Sequence, residues 1–303
     1  MTLDEALYYI HSVCWKGSIP GLTRINALLD KMGHPERKLK FIHVTGTNGK
    51  GSTCAMLASI FTKAGYKTGL YTSPYLIRFN ERIQIDGVQI SDEDICQITE
   101  YIKPLADSIF EQPTEFEMVT ALGFEYFARQ GCDLVVCEVG MGGEFDATNV
   151  ILPPEAAVIC NIGLDHTEVL GDTLEKIAAT KSGIIKPGCD AVIYREKPSV
   201  EAVIEARVAQ ADVGPVVVQP LDLLQVQPGV PLLTLQGGHH GGKGGLAGEG
   251  GQGRGGAVHD VRPGLGGHHV EKAIDQSSVV GPHRPRAVLA IISAAISRAC
   301  STE

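Results

Sequence analysis

The sequence predicts an open α/β sheet, mostly parallel, with helices on both faces. Three observations carry that prediction. Strand-like and helix-like stretches alternate through the first 220 residues. Residues 133–139 (DLVVCEV) and 156–162 (AAVICNI) are nearly unbroken apolar runs, as strands buried on both faces require. A glycine-rich turn then joins the first strand to a helix, at the strand end where such sheets bind their ligands.

The elements follow in order. Residues 40–45 alternate well enough for a strand. Residues 52–64 (STCAMLASIFTKA) carry apolar side chains at 54, 57, 60, 61 and 64, one helical face, and Gly65 stands where the chain would leave the helix. Residues 69–72 make a short second strand, 115–129 a helix ending before Gly131, and 173–181 a further helix.

Composition changes along the chain. Its 303 residues allow about two domains. All eight Phe lie at or before Phe145, the single Trp is Trp15 and the last Tyr is Tyr194, so 195–303 holds no aromatic anchor for a core. Residues 237–267 include 15 Gly, and the doublets His239-His240 and His268-His269 stand in or beside them. With no apolar period and maximal backbone entropy to lose, 221–303 is expected to be an aberrant, Gly-rich and disordered tail behind a folded domain of 1–220. The doublets lack Cys or acidic partners at ligand spacing, which favours a solvated tract over a metal site.

A net charge of −9 offers no basic stripe for nucleic acid. No run reaches the ~18 apolar residues of a membrane span, and the first residues carry no signal-peptide pattern. Eight scattered cysteines without a C-x-x-C pair suit a reducing compartment, so a cytoplasmic protein is expected.

The chemistry starts at Gly46-Thr47-Asn48-Gly49-Lys50-Gly51-Ser52, with Thr53 following on the helix. Such a turn gathers backbone N–H groups on phosphate oxygens at the positive end of a helix. Lys50 would reach the outer phosphates and the Ser52 hydroxyl would ligate Mg²⁺. The pattern is P-loop-like but departs from G-x-x-x-x-G-K-[ST], because Gly51 separates Lys50 from Ser52 and Val44 stands at the first Gly position.

GTNGKGS (46–52), together with GLTRI (21–25), YTSPYLIRFNERI (71–83), EVGMGGEFDATNV (138–150) and LDHTEVLGDTLEKIAATKSGIIKPG (164–188), resembles the folylpolyglutamate synthase/dihydrofolate synthase family. That family is related to the Mur ligases, and the likeness runs from about residue 2 to 220. It implies a P-loop NTPase-like sheet of the Mur central-domain type and an ATP-dependent ligase. The γ-phosphoryl group would activate the carboxylate of dihydropteroate, or of a folate, as an acyl phosphate that the amine of L-glutamate attacks. The implied cofactors are ATP and two Mg²⁺; small molecules are the expected partners, and a monomer the expected state.

The same resemblance carries metal-binding roles to Ser52, Ser73, Glu138, His166 and Lys181, and catalytic roles to Lys50, His166 and Lys181. Lys181 matches a lysine carbamylated by CO₂, which requires burial to depress its pKa; by spacing alone it reads as a surface lysine. Taken singly, Glu138, His166 and Ser73 equally suit a solvated strand end, a loop histidine and a turn. A pterin site is implied at Gly21, Leu22, Thr23, Arg24, Phe116, Glu117, Met118, Val119, Phe145, Asp146 and Ala147, although Phe116 equally suits a core. Glu144 replaces the arginine usual in the family's GLGGR-type version of its motif.

Family members carry a second α/β domain whose D-[GA]-A-H-N-P-type segment is missing here. Loss of the coding frame around 220–236 accounts for the change, a genuine Gly-rich tail being the alternative. Impaired ligation with retained nucleotide binding is expected on that ground. Another P-loop amide ligase of the Mur type, or a small-molecule kinase, remains a competing reading.

Overall fold

The computed structural model describes residues 1–12, 20–213 and 215–218, the last four by backbone alone. The expectations for 221–303, the glycine tract and the histidine doublets among them, lie outside the described residues.

Strand β1 (Phe41–Thr45) is buried along its whole length. It pairs in parallel with β5 (Leu134–Glu138) on one side and β6 (Ala156–Ile159) on the other, so that Val44 lies level with both Glu138 and Val158. The other strands are β2 (Thr68–Tyr71), β3 (Ile83–Ile85), β4 (Val88–Gln89), β7 (Asp190–Tyr194) and β8 (Pro215–Val218). The described sheet has eight strands in the order β4-β3-β2-β5-β1-β6-β7-β8. Strands β2, β5, β1, β6, β7 and β8 run parallel, whereas β3 and β4 are antiparallel at one edge. The chain leaves β1 with its neighbours diverging, the crevice where open α/β sheets take ligands.

Alternate side chains of each strand face opposite layers. Phe41, Tyr71, Ile83 and Val135 pack with α1 (Leu3–Ser12), α2 (Thr23–Met32), α4 (Asp92–Asp107) and α5 (Glu115–Gln130). Ile42, Val44, Val136 and Val158 pack instead on Cys54, Leu57 and Phe61 of α3 (Lys50–Lys63). Ala157, Ile159, Ala191 and Ile193 meet α7 (Leu174–Ser182) and α8 (Pro198–Gln210). The expected layering of helices on both faces is therefore present.

Element ends differ from the expected ones for local reasons. Helix α3 begins at Lys50, two residues early, because Gly49 at φ +79° already turns the chain into it. A capping box starts α5: the Thr114 hydroxyl accepts from the Glu117 N–H, and the Glu117 carboxylate accepts from the Thr114 N–H. Gly131 ends it at φ +64°. The β3–β4 hairpin, absent from the sequence expectation, turns at Asp86-Gly87, both at positive φ, the pairing a two-residue hairpin favours. Among the described residues no helix is long and apolar enough to cross a membrane.

Gly69 on β2 faces the ring of Phe127, and a Cβ there would lie 2.8 Å from it. Gly69→Ala should therefore destabilise the fold by about 1–3 kcal/mol through overpacking. Urea unfolding should show a lowered midpoint at unchanged slope, and an unchanged midpoint would count against the packing described.

Candidate active site

The turn after β1 is pressed against the end of β6. Gly46 sits at φ +153°, and a Cβ there would be 2.7 Å from that of Cys160, so only glycine fits. The Thr47 N–H donates to the Asn161 carbonyl at 2.7 Å, while its hydroxyl exchanges hydrogen bonds with Gly163 at 3.1 and 2.9 Å. Asn48 bridges to Asn161, and the Thr53 hydroxyl meets the Cys160 sulfur at 3.4 Å. Lys50 Nζ folds back to donate to the carbonyls of Gly46 (3.0 Å) and Thr47 (3.2 Å). Ser52 is exposed at the start of α3.

Lys181 is not a surface lysine. It is 3% exposed, and its Nζ donates to the same Gly46 carbonyl at 2.8 Å. Burial, reinforced by the nearby Lys50 charge, lowers its pKa to about 8. Gly143 permits that burial, because a Cβ there would strike the Lys181 and Thr180 carbonyls at 2.6 and 2.8 Å. Glu144 joins the same contact through its backbone, its N–H donating to the Thr180 carbonyl at 2.9 Å, and its side chain is exposed. The charge-reversed side chain at 144 thus leaves this main-chain contact intact.

Glu138 ends β5 at 4% exposure, and its Oε2 accepts the Ser73 N–H at 3.1 Å. Burial raises its pKa, while the Ser73 bond and the Lys50 charge pull the other way. The space above Gly51 opens onto this carboxylate, 3.7–3.8 Å from a Cβ built there. A buried carboxylate is a hard-oxygen donor that suits Mg²⁺ with phosphate oxygens and waters, and the Ser73 backbone stands beside it. His166 stands on the loop beyond β6. It opens the short helix α6 (Thr167–Leu170) at φ +47°, exposed, with Nε2 3.6 Å from its neighbour Asp165. Among the described residues no three His, Cys, Asp or Glu side chains are grouped for a metal ion.

A cavity of about 320 Å³ lies beside this edge. Of the residues expected at a pterin site, Gly21, Phe116, Glu117, Phe145, Asp146 and Ala147 line it. Leu22 instead packs on the core and Thr23 begins α2 exposed. Met118 and Val119 are buried in the core cluster that α5 supports. Arg24 Nε pairs with Glu117 Oε2 at 3.1 Å, so that oxygen is already engaged. Phe116 lies directly on Gly140, where a Cβ would come within 2.5 Å of its ring. Arg82, Met141 and Thr180 also line the cavity; Arg82 was missed although its segment was singled out.

Asp146 is held by its neighbours rather than presented free. Its Oδ1 accepts the Thr148 N–H at 3.0 Å and hydroxyl at 2.5 Å, and its Oδ2 accepts the Met141 N–H at 2.8 Å. Because Thr148 gives its proton to Asp146, it accepts from His43, whose Nε2 is 2.8 Å away. His43 therefore carries its proton on Nε2, and its buried Nδ1 has no hydrogen-bond partner. Burial, with the Lys186 charge behind it, drops the His43 pKa to about 3.

Against this geometry stand the known proteins. The Mur ligase middle domain family matches residues 44–213. The chain belongs to the Mur ligase family. Within the family it is 45% identical over 206 residues to a Bacillus subtilis dihydrofolate synthase/folylpolyglutamate synthase, covering 66% of this chain and 48% of that protein. It is 41% identical over 214 residues to the folylpolyglutamate synthase of Lacticaseibacillus casei, covering 69% and 50%. The apo form of L. casei FPGS superposes at TM-score 0.69 and 38% identity over 72% of this chain and 54% of that one. E. coli FolC in complex with DHPP and ADP does so at 0.65 and 32%, over 72% and 51%. The chain spans about half the length of the curated relatives it matches.

The buried neutral His43 has a thermodynamic signature. Unfolded, it takes a proton near pH 6.5, whereas folded it stays neutral to about pH 3. Between those values the unfolded state binds the extra proton, so stability falls as pH falls. Relative to His43→Gln, wild type should lose up to about 1.4 kcal/mol per pH unit across that window. Parallel stability curves for the two proteins in denaturant titrations from pH 7 to 4 would contradict the assignment.

Proposed function

We propose that this chain binds Mg·ATP and a pterin acid for an ATP-dependent ligation to L-glutamate, the acceptor being dihydropteroate or a folate glutamate chain. One observation carries the reading: the Gly46–Lys50 turn, two lysines converging on the Gly46 carbonyl, and the buried Glu138 share one sheet edge beside an aromatic-lined cavity. It is supported by the relatives' names, and by solved structures of the L. casei protein with AMPPCP and folate and of the E. coli protein with DHPP and ADP.

In this reading the backbone N–H groups of 46–51 and the α3 N-terminus take the phosphates. Lys50 exchanges its two carbonyl partners for the outer phosphate oxygens, an ammonium–phosphate ion pair replacing two ammonium–carbonyl bonds. Glu138, with the Ser52 and Ser73 hydroxyls, would hold Mg²⁺, which supplies positive charge to offset the phosphates. Lys181, neutral in part near pH 7.5, adds its amine to CO₂, losing one proton and becoming a carbamate for a second ion. His166 is proposed as a further ligand, and as catalytic, by resemblance alone. The acceptor carboxylate takes the γ-phosphoryl group and ADP leaves. The glutamate amine then attacks the acyl carbon, phosphate departs, and one proton is released with the new amide.

On the full chain, Lys50→Ala should weaken Mg·ATP binding by more than about tenfold, or ~1.4 kcal/mol, with far-UV circular dichroism unchanged. Equal affinities would remove the phosphate-loop assignment. Formation of labelled dihydrofolate from dihydropteroate, ATP and labelled glutamate tests the reaction itself.

Carbamylation has its own readout. Protein equilibrated with ¹³C-bicarbonate should show one carbamate carbon resonance that Lys181→Ala removes. An unchanged spectrum in that variant would mean that Lys181 is not the modified amine.

A further inference from the structure

Among the described residues, Arg82 is a buried cation without a carboxylate partner. It follows the exposed segment 76–78 and closes its loop by accepting the Thr72 N–H on its backbone carbonyl at 2.9 Å. The residue is only 9% exposed. Its guanidinium lies over the ring of Tyr75, 5.1 Å from the centroid, and 6.0 Å from that of Phe79. Its Nε is sealed from solvent with no hydrogen-bond partner, and among the described residues no carboxylate forms an ion pair with it. The carboxylates that share the cavity have other partners: Glu117 binds Arg24 and the Thr114 N–H through Oε2, its buried Oε1 having no hydrogen-bond partner, Glu115 meets His11 at 3.2 Å, and Asp146 is held by Thr148 and Met141.

A guanidinium largely removed from water against aromatic faces, with its Nε unpartnered, is costly, because cation–π contact replaces part of its hydration and not the lost Nε–H hydrogen bond. Such a group is retained where something else completes it. Arg82 lines the 320 Å³ cavity together with Phe116 and Phe145. Its rigid fork, stacked on Tyr75, is oriented before any ligand arrives.

We propose that Arg82 is a binding and specificity residue of this cavity, donating to an sp² oxygen of the acceptor, either a ring carbonyl or a carboxylate. The proposal rests on the reading of the cavity as an acceptor site and adds to it the residue that selects an oxygen-bearing ring. Planar molecules of similar size without such an oxygen are then disfavoured, because they leave the buried guanidinium bare.

The test is calorimetric titration of the full chain, preloaded with a non-hydrolysable Mg·ATP analogue, with dihydropteroate. Arg82→Met keeps the length and the stacking but removes every donor; Arg82→Lys keeps the charge and loses the fork. Dihydropteroate affinity should fall at least tenfold in Arg82→Met and less in Arg82→Lys, while affinity for the nucleotide analogue stays constant. Pterin (a ring carbonyl and no carboxylate) and 4-aminobenzoate (the reverse) then identify the oxygen, by which of them loses affinity in Arg82→Met. Wild-type affinity for dihydropteroate in Arg82→Met overturns the assignment of Arg82 and leaves the acceptor site standing. A wild-type chain that binds the nucleotide analogue but no dihydropteroate overturns the acceptor site, and this proposal with it. Should Arg82→Met lose nucleotide binding as well, Arg82→Lys decides by the same criterion: undiminished dihydropteroate affinity there overturns the proposal.

Discussion

The Gly46 carbonyl accepts from Lys50 at 3.0 Å and from Lys181 at 2.8 Å, two ammonium groups on one oxygen. That arrangement is possible only because the turn after β1 sits hard against Cys160 without a side chain between them. It fixes the separation of β1 and β6 at their ends and brings α7 over the turn. It also leaves Lys50 near enough to Glu138 for its charge to favour the ionised carboxylate. The Lys50 charge raises the cost of charging Lys181, and burial adds the larger part of that cost. A multiply charged anion offsets both cations at once, so the same crowding favours phosphate.

On the other side of β1 a polar thread runs through the core. His43 gives its proton to Thr148, Thr148 to Asp146, and Asp146 gathers the backbone of the 141–148 segment. The direction of donation is set by Asp146, which takes the Thr148 hydroxyl proton and leaves that oxygen to accept from His43. Asp146 is consequently a clamp on a loop whose far side carries Phe145 and whose near side touches α7. A loop rich in glycine is thereby given a single conformation.

Much of this was legible in the sequence, and the exceptions are physical. Glycines 46 and 49, Lys50 and the two apolar strands identify themselves, because local backbone chemistry and burial on both faces leave a direct imprint on residue choice. Lys181 did not, since helix periodicity says nothing of a neighbouring segment whose glycines let it approach. Met118 and Val119 sit within a short motif yet point into the core, and a linear motif cannot say which of its members a helix turns away. His166 has the right residue type and neighbourhood, but it stands exposed at the start of α6. Arg82 went unassigned because its burial follows from Tyr75 and Phe79 closing over it, a tertiary event.

Phe116 rests on the bare backbone of Gly140, while Glu117, one residue on, caps the helix that carries it. The wall of the cavity and the first turn of α5 are thus one mechanical unit. α5 is also a main support of the largest core cluster. A molecule that fills the cavity therefore acts on the unfolding equilibrium as a whole, and at a hundredfold excess over its dissociation constant would add about 2.7 kcal/mol. Occupancy then becomes measurable as heat resistance, which gives a route to finding acceptors by screening for thermal shift without any assay of chemistry.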